Sequence, residues 1–467
     1  MNLDELIKII SGKIILEINL SGIKNHDIKI KQIEIDSRKI TPGDVFIAIK
    51  GNNFDGHDFI DQAINNGAVC CIVSNKINLS DYEKFNCQII LVEDTIISFG
   101  KIAKYIISNF NFPVIAITGS CGKTTTKEIL AAILKTKGKV LYSDKSYNNN
   151  IGVPLTALKG LNNQDYVAAI FEIGTNHIGE IEYLSEIVRP DIAILTIVAP
   201  VHIGNFGSIE KLAHEKQQIF KYLESNGTAI VNQDDFYEFK HEVAKTKYFA
   251  INNISKANIY ATDIIIKSNQ QTSFNLHYQD NNININMPLL GKHNIYNILA
   301  AAQGALSLGF SLDEIKIGIE QNLATISGRL EVKSGFNEAI LIDDAYNANP
   351  VAVKASLDIL ANYNNANSNK KCFVFADMGE LGQDAEYYHK EIGETLSNMN
   401  IDYFFAYGDL VKFSIDSYTK SGVLCDSKDD LIKKLTDLIQ KEKGITVLFK
   451  GSNSMGLGKV VNELVKI

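Results

Sequence analysis

The chain has 467 residues, 45% of them hydrophobic and 21% charged, with a net charge of −8. That length exceeds one ordinary core and points to about three domains, while the acidic balance argues against a protein that grips a nucleic-acid backbone, so no nucleic acid is expected as a partner. No apolar run approaches the ~18 residues of a membrane span, and the opening "MNLDELIKII" carries Asp4 and Glu5 where a secretory signal is basic, so a cytoplasmic protein without membrane insertion is expected. A monomer is the expected state, although none of these features bears on it.

From residue 30 to about 94, β-type runs such as "DVFIAI" and "GAVCCIVSN" alternate with the helical "FIDQAINNG". A helix-like "TIISFGKIAKYIISNF" leads into the apolar runs "PVIAITG", "YVAAIFEIG", "IAILTIV" and "TAIVNQ". Continuous apolar runs of this kind belong to parallel strands covered by helices on both faces. Over 257–290 the pattern becomes polar-aliphatic alternation, which predicts antiparallel strands appended to that sheet. The helix "NIYNILAAAQGALSLG" follows, with Gly309 as its C-terminal stop. Beyond 327, "AILIDDAY", "KCFVFADM", "YFFAYGD" and "TVLFKGS" alternate with helices again. The predicted fold class is therefore α/β in three domains. A small N-terminal α/β domain spans 1–94, a central P-loop ATPase domain with a mostly parallel sheet spans 95–326, and a C-terminal Rossmann-like α/β domain spans 327–467.

The run "VIAITGSCGKTTTKEILAAIL" carries the first chemistry. Gly119, Ser120, Cys121 and Gly122 follow a strand, and Lys123, Thr124 and Thr125 open a helix with apolar Ile129, Leu130, Ile133 and Leu134, closed by Gly138. Loop amides and the positive helix end converge on an anion, Lys123 supplies charge to the β and γ phosphates, and Thr124 offers a hydroxyl to Mg²⁺. The plain alternative is a tight glycine turn that happens to hold a lysine. The loop is a short variant, because Ile117 stands where the usual first glycine would be, and the absence of a guanine-reading NKxD favours adenine. Six cysteines without CxxC spacing read as reduced thiols, with Cys121 exposed to alkylation in the loop.

Glu172 ends the strand of "YVAAIFEIG", where phosphate-loop enzymes place a metal-binding carboxylate. His202 follows the next apolar strand towards the same sheet edge, although a lone histidine there is more often structural. Ser208 caps "IEKLAHEKQQIFKYL", whose stripe is Leu212, Ile219, Phe220 and Leu223, and Lys216 falls in the middle of it. A snorkelling lysine explains the spacing. A desolvated one would become a neutral amine able to react with carbon dioxide.

Together, "ITGSCGKTTTKEIL", "NNNIGVPLTAL", "FEIGTNHIGEIEYLSEIVRPDIAILT", "HIGNFGSIEKLAHEKQQIF", "LLGKHNIYNILAAA", "GRLEV" and "LIDDAYNANPVAV" resemble the Mur ligases of bacterial cell-wall synthesis, in the same order over nearly the whole chain. The run "DSRKITPGDVFIAIKGNNFDGHDFIDQAINNGA" is similar to that family's uridine-binding domain, while "DDAYNANP" and "ADMGELG" resemble the branch that adds D-alanyl-D-alanine. The resemblance implies joining of UDP-N-acetylmuramoyl-tripeptide to D-alanyl-D-alanine with ATP and two Mg²⁺ ions, through an acyl phosphate. It implies that Lys123 and Thr124 hold phosphates and Mg²⁺, that Glu172 and His202 bind metal, and that Lys216 is carbamylated to hold the second ion.

It also implies adenine contacts from Asn294 and Asn297, and nucleotide contacts from Arg329 and Asp344 of the third domain. Ser37 and Arg38 would serve the uridine site, and Asn148, Asn149, Asn176 and His177 the tripeptide end. One departure stands out: "KGSN" puts Asn453 where the family has arginine. A diaminopimelate- or lysine-adding Mur ligase, folylpolyglutamate synthase and a non-catalytic ATP-binding module remain the competing readings.

Overall fold

The computed structural model describes residues 1–16, 25–51, 53–74, 86–143, 146–162, 164–199, 206–235, 237, 245–267, 271–365 and 367–466. Among these, the strands form three separate sheets, each with its own apolar layers. The first runs in the order Lys13–Leu16, Gln88–Leu91, Cys70–Val73, Val45–Ile47, Ile33–Glu34, with only the outermost pair antiparallel. Helix Leu3–Ile10 leans on it through Leu3, Leu6 and Ile10, and Asn2 and Glu5 close a capping box at its start.

The central sheet has nine strands among the described residues. Seven parallel strands run in the order Val140–Tyr142, Ala168–Glu172, Val114–Thr118, Ile192–Leu195, Thr228–Asn232, Lys245–Ala250 and Ile259–Ile266. Thr272–Tyr278 and Asn281–Met287 then continue it antiparallel, as the alternation over 257–290 predicts. The physical difference lies in what covers each part. Val114–Thr118, Ala168–Glu172 and Ile192–Leu195 are buried at every position, because helices pack on both faces. In Thr272–Tyr278 the first five residues alternate between buried and half-buried, as a strand with one wet face should.

On one face Ile129, Leu130 and Ile133 of helix Lys123–Leu134 share a core with Ile295, Ile298 and Leu299 of helix His293–Ser307. On the other, Ala103, Val153 and Leu184 come from helices Thr95–Ser108, Gly152–Leu158 and Glu180–Val188. Gly309, at φ +79°, sits just past the helix it was expected to stop. The phosphate-loop helix, by contrast, ends at Leu134, short of Gly138. The helix behind Ser208 also tightens earlier than its stripe suggests, running as α-helix over Ile209–Gln217 and as a 3₁₀ turn over Gln218–Phe220.

The third sheet has six strands in the order Glu331–Ser334, Ile340–Asp344, Thr446–Lys450, Lys371–Ala376, Tyr403–Tyr407 and Gly422–Cys425. All pairs but the first are parallel. Short strands such as Val140–Tyr142, Lys245–Ala250 and Gly422–Cys425 carry no signal long enough to separate them from loops. They are strands because a neighbour supplies the backbone partners. What positions the site is strand order. Val114–Thr118 lies between Ala168–Glu172 and Ile192–Leu195: the chain leaves it towards Val140–Tyr142 on one side and later crosses from Ala168–Glu172 to Ile192–Leu195 on the other, which opens a crevice at its carboxyl end.

Candidate active site

The phosphate loop fills that crevice. Gly119 and Gly122 are required by space: a Cβ on Gly119 would run into Thr196 Oγ1, and one on Gly122 into Asn297 Oδ1. Gly122 also stands at φ +82°, a left-handed N-cap that starts the helix at Lys123. Ser120 Oγ donates to the Ala199 carbonyl and accepts the Ala199 amide, both at 2.9 Å, pinning the loop to the segment after Ile192–Leu195. Thr125 is buried beneath the loop.

Lys123 folds back so that its ammonium donates to the Gly119 carbonyl at 2.7 Å. Burial pushes its pKa down, opposed chiefly by the Glu172 carboxylate. Thr124 Oγ1 donates to Glu172 Oε2 at 2.8 Å and lies 3.0 Å from Ser146 Oγ. Asn148 Nδ2 donates to the other carboxylate oxygen at 2.9 Å. Glu172 is only 1% exposed, so these two bonds orient a buried carboxylate at the foot of the loop.

The third domain reaches across to the same atoms. Arg329 Nη2 donates to Thr124 Oγ1 at 2.8 Å, and its guanidinium lies over the Tyr346 ring at 4.4 Å. Asp344 Oδ1 accepts the Leu330 amide, while Oδ2 accepts from Ser356 Oγ and pairs with Lys450 at 2.7 Å. Lys450 is 3% exposed and also donates to the Asn347 carbonyl, so it holds the strand end bearing Asp344 to the loop after it. Between the two domains lies a cleft of ≈ 980 Å³, at the upper end of the range for small-molecule sites.

Asn294 and Asn297, buried one turn apart, line the cleft with Asn297 Nδ2 donating to Asn294 Oδ1 at 2.8 Å. Asn149 lines it too, and its Oδ1 accepts the Ile151 and Gly152 amides at the next helix start. Asn176 and His177 share a turn whose amides both donate to Glu180 Oε2. Asn176 faces the cleft, whereas exposed His177 is not part of its wall. His202 lies outside the described residues. Ser37 and Arg38 stand apart in the first domain: Ser37 is buried and donates to Gln62 Oε1, and exposed Arg38 pairs with Asp36. Asn453 does line the cleft, exposed, just after strand Thr446–Lys450.

Lys216 is 2% exposed, and burial drives its pKa well below the ordinary lysine value, with the Lys123 ammonium adding repulsion. Ser208 caps its helix as expected, accepting the Lys211 amide at 3.3 Å. Among the described residues no carboxylate forms an ion pair with Lys216. Sequence reading passed over Ser146, Thr196, Tyr346, Asn347 and Lys450. All but Ser146 stand inside quoted runs, but nothing local says that Tyr346 lies under Arg329 or that Lys450 pairs with Asp344.

The chain matches the Mur ligase family catalytic domain over residues 29–116, the Mur ligase middle domain over 117–305, and the Mur ligase glutamate ligase domain over 328–453. It is 39% identical over 443 residues to UDP-N-acetylmuramoyl-tripeptide–D-alanyl-D-alanine ligase of Buchnera aphidicola subsp. Baizongia pistaciae (strain Bp), covering 94% of each chain. The chain belongs to the Mur ligase family. The enzyme of the same name from Escherichia coli (strain K12) is 36% identical over 445 residues, with 95% of each covered. A crystal structure of MurF from Acinetobacter baumannii superposes on this Mur ligase with a TM-score of 0.87 at 30% identity, covering 100% and 99% of the two chains. MurF from Thermotoga maritima in complex with ADP gives 0.79 at 28% identity, covering 95% and 99%. No helix among the described residues of this Mur ligase is long and apolar enough to cross a membrane.

Cys121 gives this site a chemical handle. It is half-buried, Asn349 Nδ2 donates to its Sγ at 3.4 Å, and it packs against Phe206 and Leu212, whereas the other five cysteines are buried. N-ethylmaleimide is expected to modify one thiol per folded chain, to block nucleotide binding by at least about tenfold, and to be slowed by ATP. Mass spectrometry locating the adduct elsewhere, or equal inactivation of Cys121→Ser, would refute this.

Proposed function

We propose that this chain is an ATP-dependent amide ligase that joins UDP-N-acetylmuramoyl-tripeptide to D-alanyl-D-alanine in peptidoglycan precursor synthesis, a cytoplasmic reaction. In this reading residues 1–94 hold the uridine end, 95–326 the ATP, and 327–467 the amino substrate. The observation that carries it is the meeting, at Thr124, of a phosphate loop with an arginine from the third domain. The relatives that align over more than nine-tenths of the chain bear the name of this activity.

The chemical obstacle is the tripeptide's terminal carboxylate, a poor electrophile with a poor leaving group. The α-amine of the dipeptide, whose ordinary pKa is about 8, needs less help. Transfer of the γ-phosphoryl group to the carboxylate gives an acyl phosphate. Lys123 and Arg329, both at the phosphate loop, would offset the repulsion between the two anions. The amine then attacks the acyl carbon, and phosphate leaves. Because water destroys an acyl phosphate, the Arg329–Thr124 contact also has a protective role, holding the third domain over the loop.

The residues fit a hard cation: Thr124 Oγ1 and Glu172 Oε2 are 2.8 Å apart with Ser146 Oγ beside them, an all-oxygen set suited to Mg²⁺. Mg²⁺ bound there supplies charge neutralisation on the phosphate oxygens. Lys216 with His202 would serve a second ion after carbamylation. The amine nitrogen bonds the carbon of CO₂ and loses a proton, which turns the repulsion between Lys216 and Lys123 into attraction. Orthophosphate release measured with UDP-N-acetylmuramoyl-tripeptide should require D-alanyl-D-alanine, and diaminopimelate should not replace it. With a ¹⁸O-labelled carboxylate the phosphate should carry label; unlabelled phosphate would overturn the acyl-phosphate mechanism.

A further inference from the structure

The run "ADMGELG" marks the branch, yet none of its residues takes part in the steps above. It leaves the carboxyl end of strand Lys371–Ala376 and enters the cleft wall at Gly379 and Glu380. Three consecutive residues are tied down. Asp377 accepts the amides of Asp409, Leu410 and Val411 at 2.9–3.0 Å. The Met378 amide donates to Nε2 of buried His389, and the Gly379 amide donates to Ser452 Oγ at 2.7 Å. The next residue, Glu380, stands at φ +65°, a left-handed conformation that a glutamate adopts only when its surroundings impose it.

Four carboxylates line the cleft among the described residues: Glu172, Glu180, Asp344 and Glu380. Glu172 and Asp344 are buried and Glu180 is half-buried, whereas Glu380 is exposed. After Glu172 and Cys121, it is the last of the groups that hold the Lys123 pKa up against burial. A carboxylate of the third domain on the wall of the cleft that also holds Lys123 is placed to meet an amine delivered to that cleft.

Resting on the functional reading above, we infer that Glu380 binds the α-ammonium of the incoming dipeptide and takes the proton that must leave before attack. One ammonium proton passes to the Glu380 carboxylate, and the freed nitrogen pair bonds the acyl carbon. The carbon–oxygen bond to phosphate breaks, and the second nitrogen proton goes to the departing phosphate. Glu380 returns its proton to solvent.

Hydroxylamine separates the two halves of the reaction, because it is neutral near neutral pH and captures an acyl phosphate without help from a base. In Glu380→Gln, with ATP and UDP-N-acetylmuramoyl-tripeptide, hydroxamate should form within about threefold of the wild-type rate. With D-alanyl-D-alanine, kcat/KM should fall by about 10²-fold or more. Glu380→Gly should show the same split with a melting temperature at or above wild type, since glycine takes the left-handed conformation freely. Dipeptide kcat/KM within threefold of wild type in both variants, or equal loss of both half-reactions, would overturn the role of Glu380. Failure of the wild-type protein to form hydroxamate would instead overturn the ligase reading, and this inference with it.

Discussion

Lys216→Ala is expected to lower turnover by at least about 10²-fold, the scale set by losing one preorganised electrostatic group, and added acetate or formate should restore part of it. The side chain is 2% exposed, lies near the Lys123 ammonium, and has no carboxylate ion-pair partner among the described residues. A cation so placed is unfavourable, whereas an anionic carbamate at the same point would attract both Lys123 and a metal ion. A small acid diffusing into the space left by alanine would stand in for that carbamate. Turnover near wild type in this variant, or a complete lack of rescue, would remove the carbamate from the mechanism.

The same residue yields a stability test with a definite sign. Burial lowers the pKa of Lys216 in the folded protein, so between that value and the unfolded ~10.4 the unfolded chain binds more protons. Stability therefore rises with pH through this window and is reduced below it. Lys216→Met, measured by melting in carbonate-free buffer with chelator, should flatten that dependence and melt higher than wild type at neutral pH. A methionine variant that melts lower, with its pH dependence intact, would contradict the burial argument.

Lys123→Met is expected to cost about 10³-fold in turnover, comparable to losing a cation that neutralises a transferring phosphoryl group, with weakened ATP binding. Its ammonium is already held at the Gly119 carbonyl, 2.7 Å away, so the charge stands in place before the nucleotide arrives and little reorganisation is needed. Because the Lys123 charge also helps depress Lys216, the methionine variant should narrow the pH window described above. Turnover within tenfold of wild type would mean that Arg329 alone neutralises the phosphates.

Much of this was legible along the chain. The phosphate loop could be read because its parts are neighbours: a buried strand, glycines where a Cβ would collide, and a lysine and threonine at a helix start. The antiparallel extension of the central sheet followed from its alternation, whereas the spacing of Lys216 between Leu212 and Phe220 favoured a lysine snorkelling to solvent and the structure buries it instead, at 2% exposure. Short strands escaped notice because three to six residues carry too little pattern.

The sequence by itself determined the fold class, the loop that holds a phosphate chain, and the family resemblance. Tertiary structure decided which distant groups meet: Arg329 at Thr124 across 205 positions, Asn349 at Cys121 across 228, Lys450 on Asp344, and Glu380 on the cleft wall. The reason is one of range. Periodicity and turn chemistry act over a few residues and specify the faces of an element. The convergence of side chains from two sheets depends on strand order and on how separate cores pack, which only the assembled chain contains.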